Sequence, residues 1–218
     1  MDKSLSSNPD LVEDLLADPA MRGMGHFERV EDNNLGLGHV YYGLVRVLRP
    51  AQVVVIGSYR GFVPIVLARA MTDNLEAGQL TFVDPSLVDG FWRDPVAVQA
   101  HFARFTSDKI AHHLMTTQDF VASPAYQALH DVGLLFIDGY HSYEQARFDF
   151  EAFIPKLAKN AVVLFHDSAR IRVSRIYGED RAFEHRVKVL MDELKADPQW
   201  QVFDLPFGDG VTLVRRSQ

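Results

Sequence analysis

Two short stretches bring carboxylates and imidazoles together. Ile137-Asp138-Gly139-Tyr140-His141 and Phe165-His166-Asp167-Ser168 each continue an apolar run into an aspartate and a histidine. An imidazole titrates near neutral pH, so His141 is suited to take a proton from a substrate hydroxyl, with Asp138 beside it. Asp138 and Asp167, if brought close, would repel each other and one would tend to protonate. Two arrangements relieve this. One is a divalent cation held by Asp138, Asp167 and His166. The other is hydrogen bonding to the carboxylates from His141, His166 or loop amides. Each imidazole also has a structural reading: His141 ordering its loop through Asp138 or Asp167, and His166 as a core histidine.

A scaffold must deliver both pairs to one place. Residues 132–137 and 161–165 are apolar runs of strand length. Between them Tyr143, Ala146, Phe150, Phe153, Ile154 and Leu157 mark one face of a helix. A strand, crossover helix and parallel strand put both aspartates at strand C-termini, the edge where open α/β sheets bind ligands. Further strands are expected at 53–56, 79–83 and 114–117. Helices are expected at 9–17, 35–48, 62–71, 95–105, 124–130 and 181–196. A terminal hairpin joins 200–205 to 210–214. The alternation predicts a doubly wound α/β fold with a mostly parallel sheet. Residues 1–50 precede the first strand and read as a helical segment, a lid or cap that carries His26, Phe27, Tyr41 and Tyr42. Residues 51–218 form the main domain.

The first strand ends in Ile56-Gly57-Ser58-Tyr59-Arg60-Gly61, a turn in which two glycines let a ligand approach the backbone. Its spacing is not the Gly-x-Gly-x-x-Gly of dinucleotide sites, and it lacks a phosphate-loop lysine. Asp84 ends the second strand, where a carboxylate can accept hydrogen bonds from both hydroxyls of a ribose. The alternative for Asp84 is a cap of the turn through Pro85. Gln118-Asp119 follows the third strand, so Asp119 either meets an adenine edge or caps a helix. His112 and His113 are adjacent on a strand, face opposite ways, and read as structural. Arg170, Arg172 and Arg175 either grip an anionic substrate or form a solvated surface.

Val-Ile-Gly-Ser-x-x-Gly, Phe-Val-Asp-Pro, Phe-Ile-Asp-Gly-x-His-x-Tyr and Phe-His-Asp, in that order, resemble class I S-adenosylmethionine (SAM)-dependent methyltransferases. The resemblance is to the subgroup of macrocin-type O-methyltransferases and so-called cephalosporin hydroxylases, and it covers residues 35–214. It implies a three-layer αβα, Rossmann-like fold whose seven-stranded sheet has an antiparallel last strand. It implies that Gly57, Ser58 and Gly61 line the methionine part of SAM, that Asp84 holds the ribose, and that Asp119 lies near the adenine. It implies a divalent metal such as magnesium at Asp138 and Asp167 in the metal-dependent members. Val55 stands where many relatives carry an acid, and His166 where an oxygen ligand is common. The implied function is O-methylation of a small hydroxylated acceptor. The second reading is a methyltransferase-fold SAM-binding or accessory protein without turnover.

Composition is ordinary for a soluble globular protein. The chain has 218 residues, 47% hydrophobic and 23% charged, which suits one domain with a sizeable core. A net charge of −7 argues against broad nucleic-acid or anionic-membrane binding. There are no cysteines, so disulfides, thiolate metal sites and cysteine nucleophiles are excluded, and a cytoplasmic setting is expected. A homo-oligomer is compatible with all of this.

Overall fold

The computed structural model describes residues 10–74, 77–105 and 109–217. In its main sheet β1 (Gln52–Ile56) is flanked by β2 (Gln79–Val83) and β3 (Ile110–His113) on one side. On the other side lie β4 (Val132–Ile137) and β5 (Leu157–His166). These five pair in parallel. Two short strands, β6 (Arg172–Ser174) and β7 (Phe183–His185), form a separate antiparallel ribbon. The last two, β8 (Trp200–Leu205) and β9 (Val211–Arg216), form a hairpin. In it, β9 inserts antiparallel between β5 and β8 and completes a seven-stranded sheet. The terminal hairpin and the antiparallel last strand are as expected.

Helices cover both faces. Val53 and Val55 pack into one buried cluster, and Val54 and Ile56 into the other. A strand covered on both sides is apolar at every position, as this one is. The first cluster collects α1 (Asp10–Ala17), α2 (Gly38–Leu48), α3 (Phe62–Asp73) and α4 (Pro95–Arg104). The second collects α5 (Thr117–Val121), α6 (Pro124–Ala128), α7 (Tyr143–Phe153) and α8 (Val187–Ala196). Leu15, Leu16, Met21, Tyr41 and Val45, all from the first fifty residues, share the cluster of Val53 and Val55. Among the described residues no helix is long and apolar enough to cross a membrane.

Local chemistry sets the helix starts. Asp94 accepts hydrogen bonds from the N–H groups of Val96 and Ala97, with Pro95 in the first turn. Ser142 accepts from Gln145 N–H at 3.1 Å and opens α7. Two expectations need correction. The third strand is 110–113, not 114–117, because Thr116 caps α5 and Thr117 is already helical. The last helix begins at Val187 rather than near 181, because 183–185 pairs with 172–174 instead. The inward residues Val187, Leu190, Met191 and Leu194 are nonetheless the ones expected.

Candidate active site

The chain runs outward from β1 to β3, then returns to build β4 and β5 on the other side. The strand order therefore reverses between β1 and β4, the usual place for a ligand crevice. A cavity of about 760 Å³ opens there. Gly57 ends β1 at φ +72°, and a Cβ on it would lie 2.2 Å from the backbone oxygen of Asp138. Only glycine lets the end of β4 pass so close. Asp138 N–H donates to Ile56 O at 2.7 Å and locks the two strand ends together.

Gly57, Ser58 and Asp84 line one half of this cavity. Asp84 Oδ2 accepts from Ser58 N–H at 3.2 Å, and Oδ1 from Ser86 N–H at 2.7 Å. Burial raises its pKa, while these two N–H groups and the nearby Asp138 adjust it. Each oxygen keeps lone pairs for a further donor. Gly61 lies outside the lining; it starts α3 at φ +80°. Asp119 is outside it too. Thr116 Oγ1 accepts from Asp119 N–H at 3.1 Å and bonds to its Oδ2 at 2.7 Å, a capping arrangement at the start of α5. Thr116, Thr117 and Gln118 face the cavity in its place. So does Asp149 of α7, which is 1% exposed and accepts from Gln145 Nε2 at 2.7 Å. Burial pushes Asp149 up to about 6, against the pull of hydrogen bonds from Gln145 and Thr117.

The other half is a knot of imidazoles and carboxylates. His166 Nδ1 lies 2.8 Å from Asp138 Oδ1 and 3.5 Å from Asp167 Oδ1. His141 Nε2 lies 3.5 Å from Asp138 Oδ1 and 3.8 Å from Asp167 Oδ2. His185 Nδ1 lies 3.0 Å from Asp167 Oδ2, and its ring sits 4.3 Å from that of His141. His26 Nε2 reaches His166 Nε2 at 2.7 Å. Asp138, His141, His166 and Asp167, gathered from the sequence as catalytic or metal-binding residues, thus surround one space. His166 points into it and is not a core histidine.

Electrostatics differ within the knot. Burial pulls His141 down to about 4, against Asp138 and Asp167, so its ring is neutral. Burial also opposes charge on His166, yet Asp138 and Asp167 outweigh it and lift the ring to about 9. Burial would raise Asp167, but His185, His166, His141 and Arg172 hold it far below the usual carboxylate range. Arg172 donates to Asp167 Oδ2 at 2.6 Å and contacts Asp209 at 3.0 Å, while Arg170 also pairs with Asp209. Arg175 pairs with Glu179. Arg172 is thus committed to Asp167 and Asp209, whereas Arg170 and Arg175 pair on the solvated surface; Arg172 and Arg175 also line the cavity.

A family model described as a methyltransferase domain matches residues 54–168. This chain belongs to that family. The matched span runs from β1 through Asp167 and so contains Gly57, Asp84, Asp138, His141 and His166. The uncharacterized protein y4gI of Sinorhizobium fredii (strain NBRC 101917 / NGR234) is 34% identical over 137 residues. That match covers 57% of this chain but only 14% of the relative's length. A methyltransferase from Geobacter sulfurreducens superposes with a TM-score of 0.63 at 21% identity, over 95% of this chain and 89% of its own. The O-methyltransferase TomG from Streptomyces achromogenes, in complex with SAM, scores 0.64 at 13% identity over 100% and 91%. An O-methyltransferase from Bacillus cereus in complex with SAH scores 0.66 at 14% identity over 95% and 91%. At such identities these solved structures share the Rossmann-like methyltransferase fold.

Sequence reasoning missed three residues of the site. Asp149 had a signal, since a carboxylate lay between Ala146 and Phe153 on the inward face of its helix. His185 had none, because its three-residue strand reads as the start of a helix. His26 was expected on a lid without a direction. It lines the cavity, whereas Phe27 meets Phe207, Tyr41 is buried against Phe136, and Tyr42 bonds to Asp73.

Proposed function

We propose that this methyltransferase uses SAM to methylate an oxygen of a small hydroxylated molecule. The observation that carries the reading is a single cavity with a ribose-competent carboxylate at one end and an imidazole–carboxylate knot at the other. Its volume of about 760 Å³ suits a cofactor together with a small acceptor. TomG and the Bacillus cereus enzyme, O-methyltransferases crystallised with SAM and SAH, support the choice of cofactor and of oxygen.

The residues present fit SAM. The turn at Gly57 has no room for a side chain, Ser58 is buried beside it, and Asp84 has acceptor capacity left for two hydroxyls. Thr117, Gln118 and Gln145 offer polar groups for a base edge, Asp119 being engaged by Thr116. SAM supplies an electrophilic methyl group. The protein orients the acceptor, shields the site from water with His26 and the 172–185 ribbon that line it, and takes up the hydroxyl proton at the knot containing Asp138 and His141. The buried Val55 offers no acid to a methionine amino group.

The test is a screen of small hydroxylated acceptors for SAM-dependent release of S-adenosylhomocysteine. Release with at least one acceptor class, lost in Asp84→Ala, supports the reading. SAM binding without release across phenols, sugars and hydroxy acids would favour an accessory protein.

A further inference from the structure

The metal-dependent relatives implied by the sequence resemblance suggest magnesium, a hard cation that prefers an octahedral shell of oxygens. The acceptor half of this cavity does not fit that preference, because imidazole nitrogens stand among its carboxylates. We propose instead that Asp138, His141, His166 and Asp167 bind one first-row transition-metal cation of the iron, cobalt, nickel or zinc class, with His26 holding His166 in place from outside.

Distances support a shared centre. Ligands about 2.1 Å from one ion stand roughly 3.0–3.4 Å apart, depending on geometry. The nearest separations here are 2.8 Å for His166 to Asp138, and 3.5 Å for both His141 to Asp138 and His166 to Asp167. His166 Nδ1 is buried without a hydrogen-bond partner, despite its closeness to Asp138. The carboxylate lies within reach but off the line of a ring N–H, as two ligands of one ion would lie.

The two oxygens of Asp167 are divided. Oδ2 is held by Arg172 at 2.6 Å and lies 3.0 Å from His185, while Oδ1 faces His166. One oxygen is anchored and the other is left for an ion. Asp167 adopts φ +52°, a turn uncommon outside glycine, which aims its side chain inward from the end of β5. His26 has the same sign of φ, at +52°. A Cβ on Gly208 would lie 2.6 Å from His26 Nδ1, so that ring sits tightly against the terminal hairpin. His26 Nε2 and His166 Nε2 lie 2.7 Å apart and share one hydrogen bond, so Nδ1 is the nitrogen of His166 turned toward the centre. Two nitrogens and two oxygens suit borderline cations better than magnesium.

In this arrangement His141 is a ligand rather than a free base. An acceptor hydroxyl bound to the ion would release its proton more readily. The inference deepens the acceptor side of the function proposed above. It is tested without SAM or acceptor, so the two readings can fail separately.

The experiment is calorimetric titration of chelator-treated protein with Co(II), Zn(II) and Mg(II), together with the visible absorption of the Co(II) form. Co(II) and Zn(II) are expected to bind at least ~100-fold more tightly than Mg(II), with visible bands from nitrogen ligation. His141→Gln and His166→Gln should each weaken Co(II) by at least about tenfold, and His26→Gln by roughly 10–100-fold. Unchanged far-ultraviolet circular dichroism and thermal midpoint in these metal-free variants show that they remain folded. Co(II) bound no more tightly than Mg(II) by the wild-type protein would overturn the proposal whatever the variants do. So would a Co(II) affinity indifferent to His141→Gln.

Discussion

The two halves of the cavity are built in different ways. The cofactor half comes from backbone: the Gly57 turn, the end of β2 and the start of α3, with Asp84 fixed by two N–H groups. The acceptor half comes from side chains that converge from far apart. His26 lies before α2, Asp138 and His141 follow β4, His166 ends β5, Asp167 follows it, and His185 closes β7. A backbone-made site changes little when one side chain is altered, apart from the single carboxylate that touches the ligand. A convergent site depends on every contributor. The lesson is that binding and chemistry should be separable by mutation.

The largest expected effect breaks them apart. His141→Gln should lower turnover by roughly 10²–10⁴-fold and leave SAM affinity within about twofold. A proportional loss of both would merge the two halves. Next, Asp84→Ala should weaken SAM binding by about 100-fold, or ~2.7 kcal/mol, with the thermal midpoint of the ligand-free protein nearly unchanged. Unaltered affinity in calorimetry would remove Asp84 from the cofactor half.

A smaller effect concerns Asp149, buried in α7 beside the cavity. Burial holds its carboxyl at about 6, above the ordinary aspartate value of 3.8. The proton it carries therefore adds stability below pH 3.8, and that contribution is lost as pH rises through about 6. Asp149→Asn stays neutral and should avoid the loss. The variant should gain on the order of 2–3 kcal/mol over wild type between acid and neutral pH in urea melts. Parallel stability–pH curves for the two proteins would contradict this. The smallest effect is expected at the cap of α7. Ser142→Ala should cost ~1 kcal/mol of stability, with turnover falling modestly because His141 adjoins the cap. A change within experimental error in denaturant midpoint would make the cap dispensable.

The same contrast explains what was legible in the sequence. The sheet was readable because Val53–Ile56 and Val132–Ile137 are apolar at almost every position and end in glycine or aspartate. Gly57 and Asp84 were readable because strand ends follow from local pattern. Asp138, His141, His166 and Asp167 were readable as neighbours because one crossover unit connects them. His185 was not, since pairing of 183–185 with 172–174 decides its position and neither segment has a strong period. His26 was visible as a residue but not as a contact, because 140 residues separate it from His166. The role suggested for Asp119 rested on its position after a strand, while its hydrogen bonds to Thr116 depend on where α5 begins.

The most direct measurement is a crystal structure of the protein with SAM bound. The expected density has ribose hydroxyls on Asp84, the methionine end against Gly57 and Ser58, and the methyl group directed toward the space bounded by Asp138, His141 and His166. SAM bound with its ribose away from Asp84, or with its methyl directed away from those residues, would contradict the assignment of the two halves.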